Sequence, residues 1–288
     1  MSGLVFVAVV FAALLHAGWN ALVKSSGDKA LDTALVHALG AVVALPLLAL
    51  TGLPSAEALP FIATSLLVHV GYYIALAGAY KHGDLGLTYP IMRGTAPLLV
   101  ALASGALIGE APSATAWWGI VGITLGVAIV GLSHPGEALH HRKALAFALA
   151  NALVIALYTV VDGRGVRVNT AAGSPALAYV MLLFVIDGLP FPTLVWLRRG
   201  RQGRAQILAY ARRRWPLATL GGAASAGSYG IALWAMTHAP VASVAALRES
   251  SVLFAALLGW LLLKEPFGTQ RVLGTAIILA GMVALRLA

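Results

Sequence analysis

RGTAPLLVALASGALIGE, residues 93–110, and RESSVLFAALLGWLLLKE, residues 248–265, carry one pattern twice. Each opens on an arginine and closes on a glutamate 17 residues later. A glycine follows nine residues on and another seven after that, Gly119 and Gly126 in the first copy, Gly274 and Gly281 in the second. At the same offset of 155 residues Leu98 falls on Leu253, Ala101 on Ala256, Leu102 on Leu257, Leu107 on Leu262 and Ile123 on Ile278. Leu and Ala matches come easily in an apolar chain. The Arg, Glu and Gly matches do not, and they point to an internal duplication.

Composition says what is duplicated. The 288 residues are 60% hydrophobic and 10% charged, with a mean hydropathy of +0.90, too little polar surface for a chain of this size in water. The chain reads as an integral membrane protein. Its net charge of +9 sits mostly in short segments between apolar runs, so topology explains it better than a nucleic-acid partner. There is no cysteine, which removes thiol catalysis, disulfides and thiolate metal sites. The first residues mimic a signal peptide around Ala17 and Gly18 but lack its basic leader, and read as a first span.

Runs long enough for a bilayer core occur near 3–23, 33–52, 60–80, 86–108, 114–132, 143–161, 176–197, 215–237, 241–263 and 270–287. The expected fold is an all-α integral membrane protein of ten transmembrane helices. The duplication divides it into a five-helix repeat at 1–133, a linker at 134–142 and a second five-helix repeat at 143–288. Five is odd, so the second copy enters the membrane from the other side, giving inverted repeats around a central cavity, an architecture frequent among secondary transporters. Arg93 and Arg248 then lie in opposite leaflets as equivalent positions, each roughly 10 Å deep at ~1.5 Å per residue. An arginine at mid-membrane is disfavoured by at least ~2.5 kcal/mol, so each needs a partner or a task. Outside the spans, fourteen Lys and Arg fall on the side reached after the odd-numbered spans and three, Arg164, Arg167 and Arg286, on the other. That bias places both termini outside, in the periplasm of a bacterial inner membrane.

HAGWNALVKS (16–25), the Arg93 and Arg248 regions and the repeated Glu–Gly pairs Glu110/Gly119 and Glu265/Gly274, taken with ten spans in a tandem repeat, resemble the EamA-type members of the drug/metabolite transporter superfamily over essentially the whole chain. The resemblance implies two helical bundles, alternating access and export of amino acids or other small metabolites, with no cofactor.

Polar and aromatic residues inside spans are the candidates for contact with a solute. His16 and Asn20 share a face of the first span with Trp19 beside them; a cavity wall and an interfacial belt with interhelical hydrogen bonds are both open. His69, Tyr73 and Tyr80 share a face of the third span. Tyr89 precedes Pro90 and lies one turn before Arg93; prolines 90 and 97 free helix carbonyls that are tolerable only where protein or cavity water meets them. Asn151 and Tyr158 share a face of the sixth span; Tyr229 and Trp234 are candidates on the eighth, and Ser243, Arg248, Glu249 and Ser250 on the ninth. Arg248 and Glu249 point about 100° apart on a helix, so each should pair with another helix. Asp187 reads either as a proton carrier or substrate-amine partner, or as a counter-ion for one arginine or a helix-end group beside Gly188 and Pro190. Glu110 and Glu265 suit capping of the following turn. Gly119, Gly122, Gly126, Gly274 and Gly281 suit close helix packing, intramolecular or in a weak dimer of an otherwise monomeric protein. RRGRQGRAQILAYARRR (198–214) reads as a cytoplasmic topology determinant touching anionic lipid.

The competing class is an enzyme acting on a lipid-linked substrate. It would need clustered carboxylates, a metal set or a nucleophile motif; His134, His140 and His141 share their segment with Glu137 alone, and no P-loop signature occurs. A scaffold has no reason to bury arginines. Coupling is left between facilitation and a proton carried by Asp187, Glu249 or a histidine.

Overall fold

The computed structural model describes residues 1–82, 85–131, 142–263 and 268–288, with the side chains at 80, 85–87, 201, 202, 262 and 263 outside the description. The described residues form helices throughout, with no strand: α1 (Gly3–Lys24), α2 (Lys29–Thr51), α3 (Leu59–His82), α4 (Leu85–Ile108), α5 (Ala114–Gly131), α6 (Arg142–Ala171), α7 (Ala176–Asp187), α8 (Pro190–Arg198), α9 (Gly200–Met236), α10 (Val241–Arg248), α11 (Ser251–Leu263) and α12 (Thr269–Leu287). By length and composition nine stretches among them can cross a membrane, α7–α8 and α10–α11 each counting as one. The eighth expected span, the second half of α9, is not among the nine. Its stretch LGGAASAGSYG at 220–230 is helical but rich in small and polar residues, which lowers its hydropathy below that of its neighbours.

Local signals start and stop these helices. Ser2 accepts from Val5 N at 3.3 Å and Asp28 from Leu31 N at 3.0 Å, capping α1 and α2. Gly52, at φ 76°, ends α2 in the left-handed region that a side chain disfavours. Prolines 90 and 97 stand inside α4 without ending it.

Three departures from the expected spans have physical causes. First, α6 runs to Ala171 rather than 161, through DGRGVRVN, because tertiary contacts outweigh two helix-weakening glycines. There Asn169 donates to the carbonyls of Ser174 and Pro175 and accepts from Ser55 N. Second, the arginine-rich segment expected as a loop is helix and continues into the eighth run as α9. Ala, Arg, Gln and Leu favour helix, and Gly203 and Pro216 are absorbed in the run. Third, the seventh and ninth runs are each broken, at Gly188–Leu189 and at Glu249–Ser250.

Outward faces are apolar, with Leu4, Val7 and Phe11 of α1, Leu67, Val70 and Ile74 of α3, and Trp118 of α5 exposed as lipid would require. Inside, α1 packs on α9 and α11, α6 on α3 and α4, α2 on α7 and α9, α4 on α10, and α5 on α12. The repeated glycines make that last contact. A Cβ on Gly126 would sit 2.7 Å from Gly274 O, and one on Gly281 would sit 2.8 Å from Gly119 O. The glycines of one half therefore close against those of the other, within one chain.

Candidate functional site

Three charges meet at the centre. Arg93, a third of the way along α4, places Nε 2.9 Å from Oε2 of Glu249, with the two side chains 12% and 6% exposed. Glu249 stands at the break where one helix stops at Arg248 and the next restarts at Ser251. Arg248 lies instead with its guanidinium 5.2 Å from the centre of the Tyr229 ring, a cation–π contact. It has no carboxylate within ion-pair distance among the described residues. The two neighbours thus pair with different helices, as their angular separation requires.

Arg93, Arg248 and Glu249 line one narrow cavity with Pro97, Tyr158 and Ala245. Both arginines reach this one cavity. Arg93 lies eight residues from the start of α4 and Arg248 seven from the start of α10, roughly 12 and 10 Å along their helices at ~1.5 Å per residue. The cavity has room for water and not for a metabolite. Arg93 Nη2, Asn151 Oδ1 and Ser250 Oγ are buried with no hydrogen-bond partner, a cost that proteins normally avoid.

The other expected residues distribute around this centre. Tyr89 packs beside Met92 and Ala96 one turn before Arg93. Tyr158 stacks on His69 with ring centres 4.4 Å apart. Asn151 is buried and donates to Tyr72 O at 3.0 Å. Asn20 spends its amide on His16 O, one turn back in its own helix, at 2.8 Å, and Trp19 meets His16 edge to face at 5.5 Å. Tyr73 faces Asp187 at 3.4 and 3.5 Å, long for a hydroxyl hydrogen bond, and stacks on Phe191. Asp187 ends α7 at the break before Pro190. Trp234 packs against the exposed His238 at the end of α9 and does not line the cavity. The Tyr80 side chain, Glu265, and the His134, Glu137, His140 and His141 group lie outside the described residues.

Sequence reasoning missed Asp162. It is fully buried and accepts from Tyr179 Oη and Ser65 Oγ, both at 2.9 Å, and from Tyr229 Oη. It fell outside the expected span, yet it lies four residues beyond Tyr158 and eleven beyond Asn151, on the same helical face. That periodicity was the available signal. Gly165 makes the arrangement possible: a Cβ there would sit 2.5 Å from Tyr179 Oη.

Clasps close both ends of the bundle. At one, Glu110 pairs with Arg167 at 2.6 Å and accepts from Val241 N at 2.9 Å. Arg167 also donates to the carbonyls of Met236 and Ala239. Glu110 therefore caps a helix, but one in the other half. At the other end Arg214 and Tyr210 bind Asp32, and Arg199 binds Asp28 at 2.6 Å. Partial burial raises the Asp28 carboxyl, but hydrogen bonds from Leu31 N and Arg199 outweigh it and hold the group below the ordinary aspartate value.

The fold and this site define a polytopic helical membrane protein with an ion-lined cavity between its helices. The chain belongs to the EamA-like transporter family, whose family model matches residues 142–287. A solved crystal structure with 16% sequence identity aligns over 99% of this chain and 96% of its own, at a TM-score of 0.71; that likeness shows the fold. No curated protein matches the sequence.

Proposed function

We propose that this transporter exports a small amphiphilic metabolite, an amino acid in the first instance, across a bacterial inner membrane by alternating access. The carrying observation is the buried set of Arg93, Glu249 and Arg248 around one cavity. Its one carboxylate and two guanidiniums leave a net positive charge, and Arg248 is held by an aromatic face rather than by an acid. A zwitterion complements that set: its carboxylate meets Arg248 and the unpartnered Arg93 Nη2, and its ammonium meets Glu249. Tyr158, Tyr89 and Tyr229 supply apolar surface with polar edges. His16, Trp19, Asn20, Tyr73, Tyr80, Asn151, Trp234 and Ser250 form the wider candidate set.

The ten-span inverted repeat is part of the proposal. Packing partners exchange between the halves: α1 lies on α9 as α6 lies on α3, and α1 lies on α11 as α6 lies on α4. Each is the other's counterpart under a five-span shift. The family match to 142–287 also coincides with the second repeat. Alternating access then consists of releasing the Glu110–Arg167 clasp and the Asp32–Arg214 clasp in turn. The Lys and Arg bias orients both termini to the periplasm.

The test is counterflow of radiolabelled amino acids in proteoliposomes, with Arg93→Ala and Tyr89→Phe alongside the wild type. Counterflow that disappears in Arg93→Ala is expected. Folded, reconstituted wild-type protein that moves no amino acid or related metabolite contradicts the reading.

A further inference from the structure

Outside the Arg93–Glu249 pair, one deeply buried carboxylate stands without a cation. Asp162 has no arginine or lysine within ion-pair distance among the described residues. Three hydroxyls converge on it instead, Tyr179 on Oδ1 and both Ser65 and Tyr229 on Oδ2. A carboxylate clamped by a fixed cation has one favoured state. One held by hydroxyls has two, because an O–H group turns from donor to acceptor when the carboxyl gains a proton. A proton on Oδ2 makes that oxygen a donor, so Ser65 or Tyr229 must release its bond.

Both releases lead somewhere useful. His69 Nδ1 lies 2.8 Å from Ser65 O and 3.4 Å from Ser65 Oγ, so a small turn of the ring exchanges the carbonyl for the hydroxyl, and the ring is half-buried and stacked on Tyr158 at the cavity wall. That is a path for the proton. Tyr229 carries Arg248 on its ring face, so losing its anchor on Asp162 frees the support of Arg248, beside Glu249 in the cavity. The titratable and charged groups around Asp162 are His69 from α3, Tyr179 from α7, Tyr229 from α9 and Tyr158 from its own helix. Arg93 of α4, with Arg248 and Glu249 at the end of α10, lies at the cavity beyond Tyr158. The turn before α3 presents the exposed Glu57.

We propose that Asp162 is the proton-binding site that couples transport to a pH gradient, loaded through His69 and Ser65 and read by Arg248 through Tyr229. The inference rests on the transporter reading above. The chemistry is a transfer of one proton between His69 and Oδ2 of Asp162, with no other bond made or broken. Asp187 and Glu249 fit the role less well: Asp187 sits at a helix break with one long contact, and Glu249 is already matched by Arg93.

Two measurements test this. In infrared difference spectra of the nanodisc-embedded protein across a pH titration, the wild type shows a protonated-carboxyl carbonyl band that disappears as pH rises. Asp162→Asn removes that band and Asp187→Asn keeps it; a band unaffected by Asp162→Asn overturns the assignment. In proteoliposomes, the ratio of uptake under an imposed pH gradient to uptake at equal pH exceeds one for the wild type and falls to one for Asp162→Asn, whatever the level of its counterflow at equal pH. Tyr229→Phe, which keeps the ring under Arg248 and removes the hydroxyl, also brings that ratio to one while retaining the band, and it carries the test if Asp162→Asn fails to fold. A wild type with normal counterflow that ignores the gradient, or an Asp162→Asn variant that still responds to it, overturns the proposal. A titrating Asp162 band in protein that moves no amino acid supports the proton site and contradicts the substrate reading.

Discussion

Arg93 and Glu249 are each costly alone in a membrane and tolerable together, and that asymmetry makes a prediction. Removing one partner leaves an uncompensated buried charge, a loss of about 3–5 kcal/mol, so Arg93→Ala and Glu249→Gln should both lower the thermal unfolding temperature sharply. Replacing both with methionine removes the two charges at once and should restore most of the stability while transport stays lost. A double variant as unstable as the singles would mean that the pair serves packing alone. Gly165 gives a second test. A methyl group there meets Tyr179 Oη and Phe61 Cβ, at 2.5 and 2.6 Å from an ideal Cβ, so Gly165→Ala should cost ~1–3 kcal/mol by overpacking, read from the same melts. It should also displace Tyr179 from Asp162. Wild-type stability would show that Tyr179 has room to move.

At the scale of elements, α5 and α12 meet glycine to backbone. Gly126→Val therefore cannot be accommodated without parting the two helices, and it should destabilise the monomer by more than ~1 kcal/mol without changing its oligomeric state by light scattering. Loss of a dimer in Gly126→Val would place that face between two molecules instead. The start of α2 depends on Asp28, which caps the helix and binds Arg199. Because its folded carboxyl is held below the ordinary aspartate value, its stabilisation is complete above that value and fades as pH falls through the lowered one. Asp28→Ala should lose about 1 kcal/mol of capping at neutral pH, and the difference from wild type should vanish in acid. A difference that persists there would assign the effect to packing.

The elements also show which parts of the protein were legible in the sequence. Apolar length found nearly all the helices, and the repeat singled out Arg93, Arg248 and the interlocking glycines. What it could not supply was where a helix passes the end of its hydrophobic run. Asp162 was missed because α6 continues through two glycines, held by the bonds of its own Arg167 and Asn169 to distant parts of the chain. The meeting of Arg93 with Glu249 depends on a helix break between two residues that carry no proline or glycine. The α9 extension was misread for the opposite reason: its arginines looked like loop, although helix propensity and the Asp28 and Asp32 anchors favoured helix.

For the whole molecule, topology is open to direct test because the chain has no cysteine. Single cysteines placed at Ser2 and Ala288 should react with a membrane-impermeant maleimide from outside intact cells, and one at Arg213 should not; the reverse pattern would invert the orientation. The central claim is that a buried, net-positive charge set in this EamA-like chain recognises a solute. The most direct measurement is amino-acid counterflow in proteoliposomes by wild type and by the stable Arg93→Met, Glu249→Met double variant. Saturable exchange by the wild type and none by the double variant is expected at equal folded protein. Equal exchange by both would contradict it.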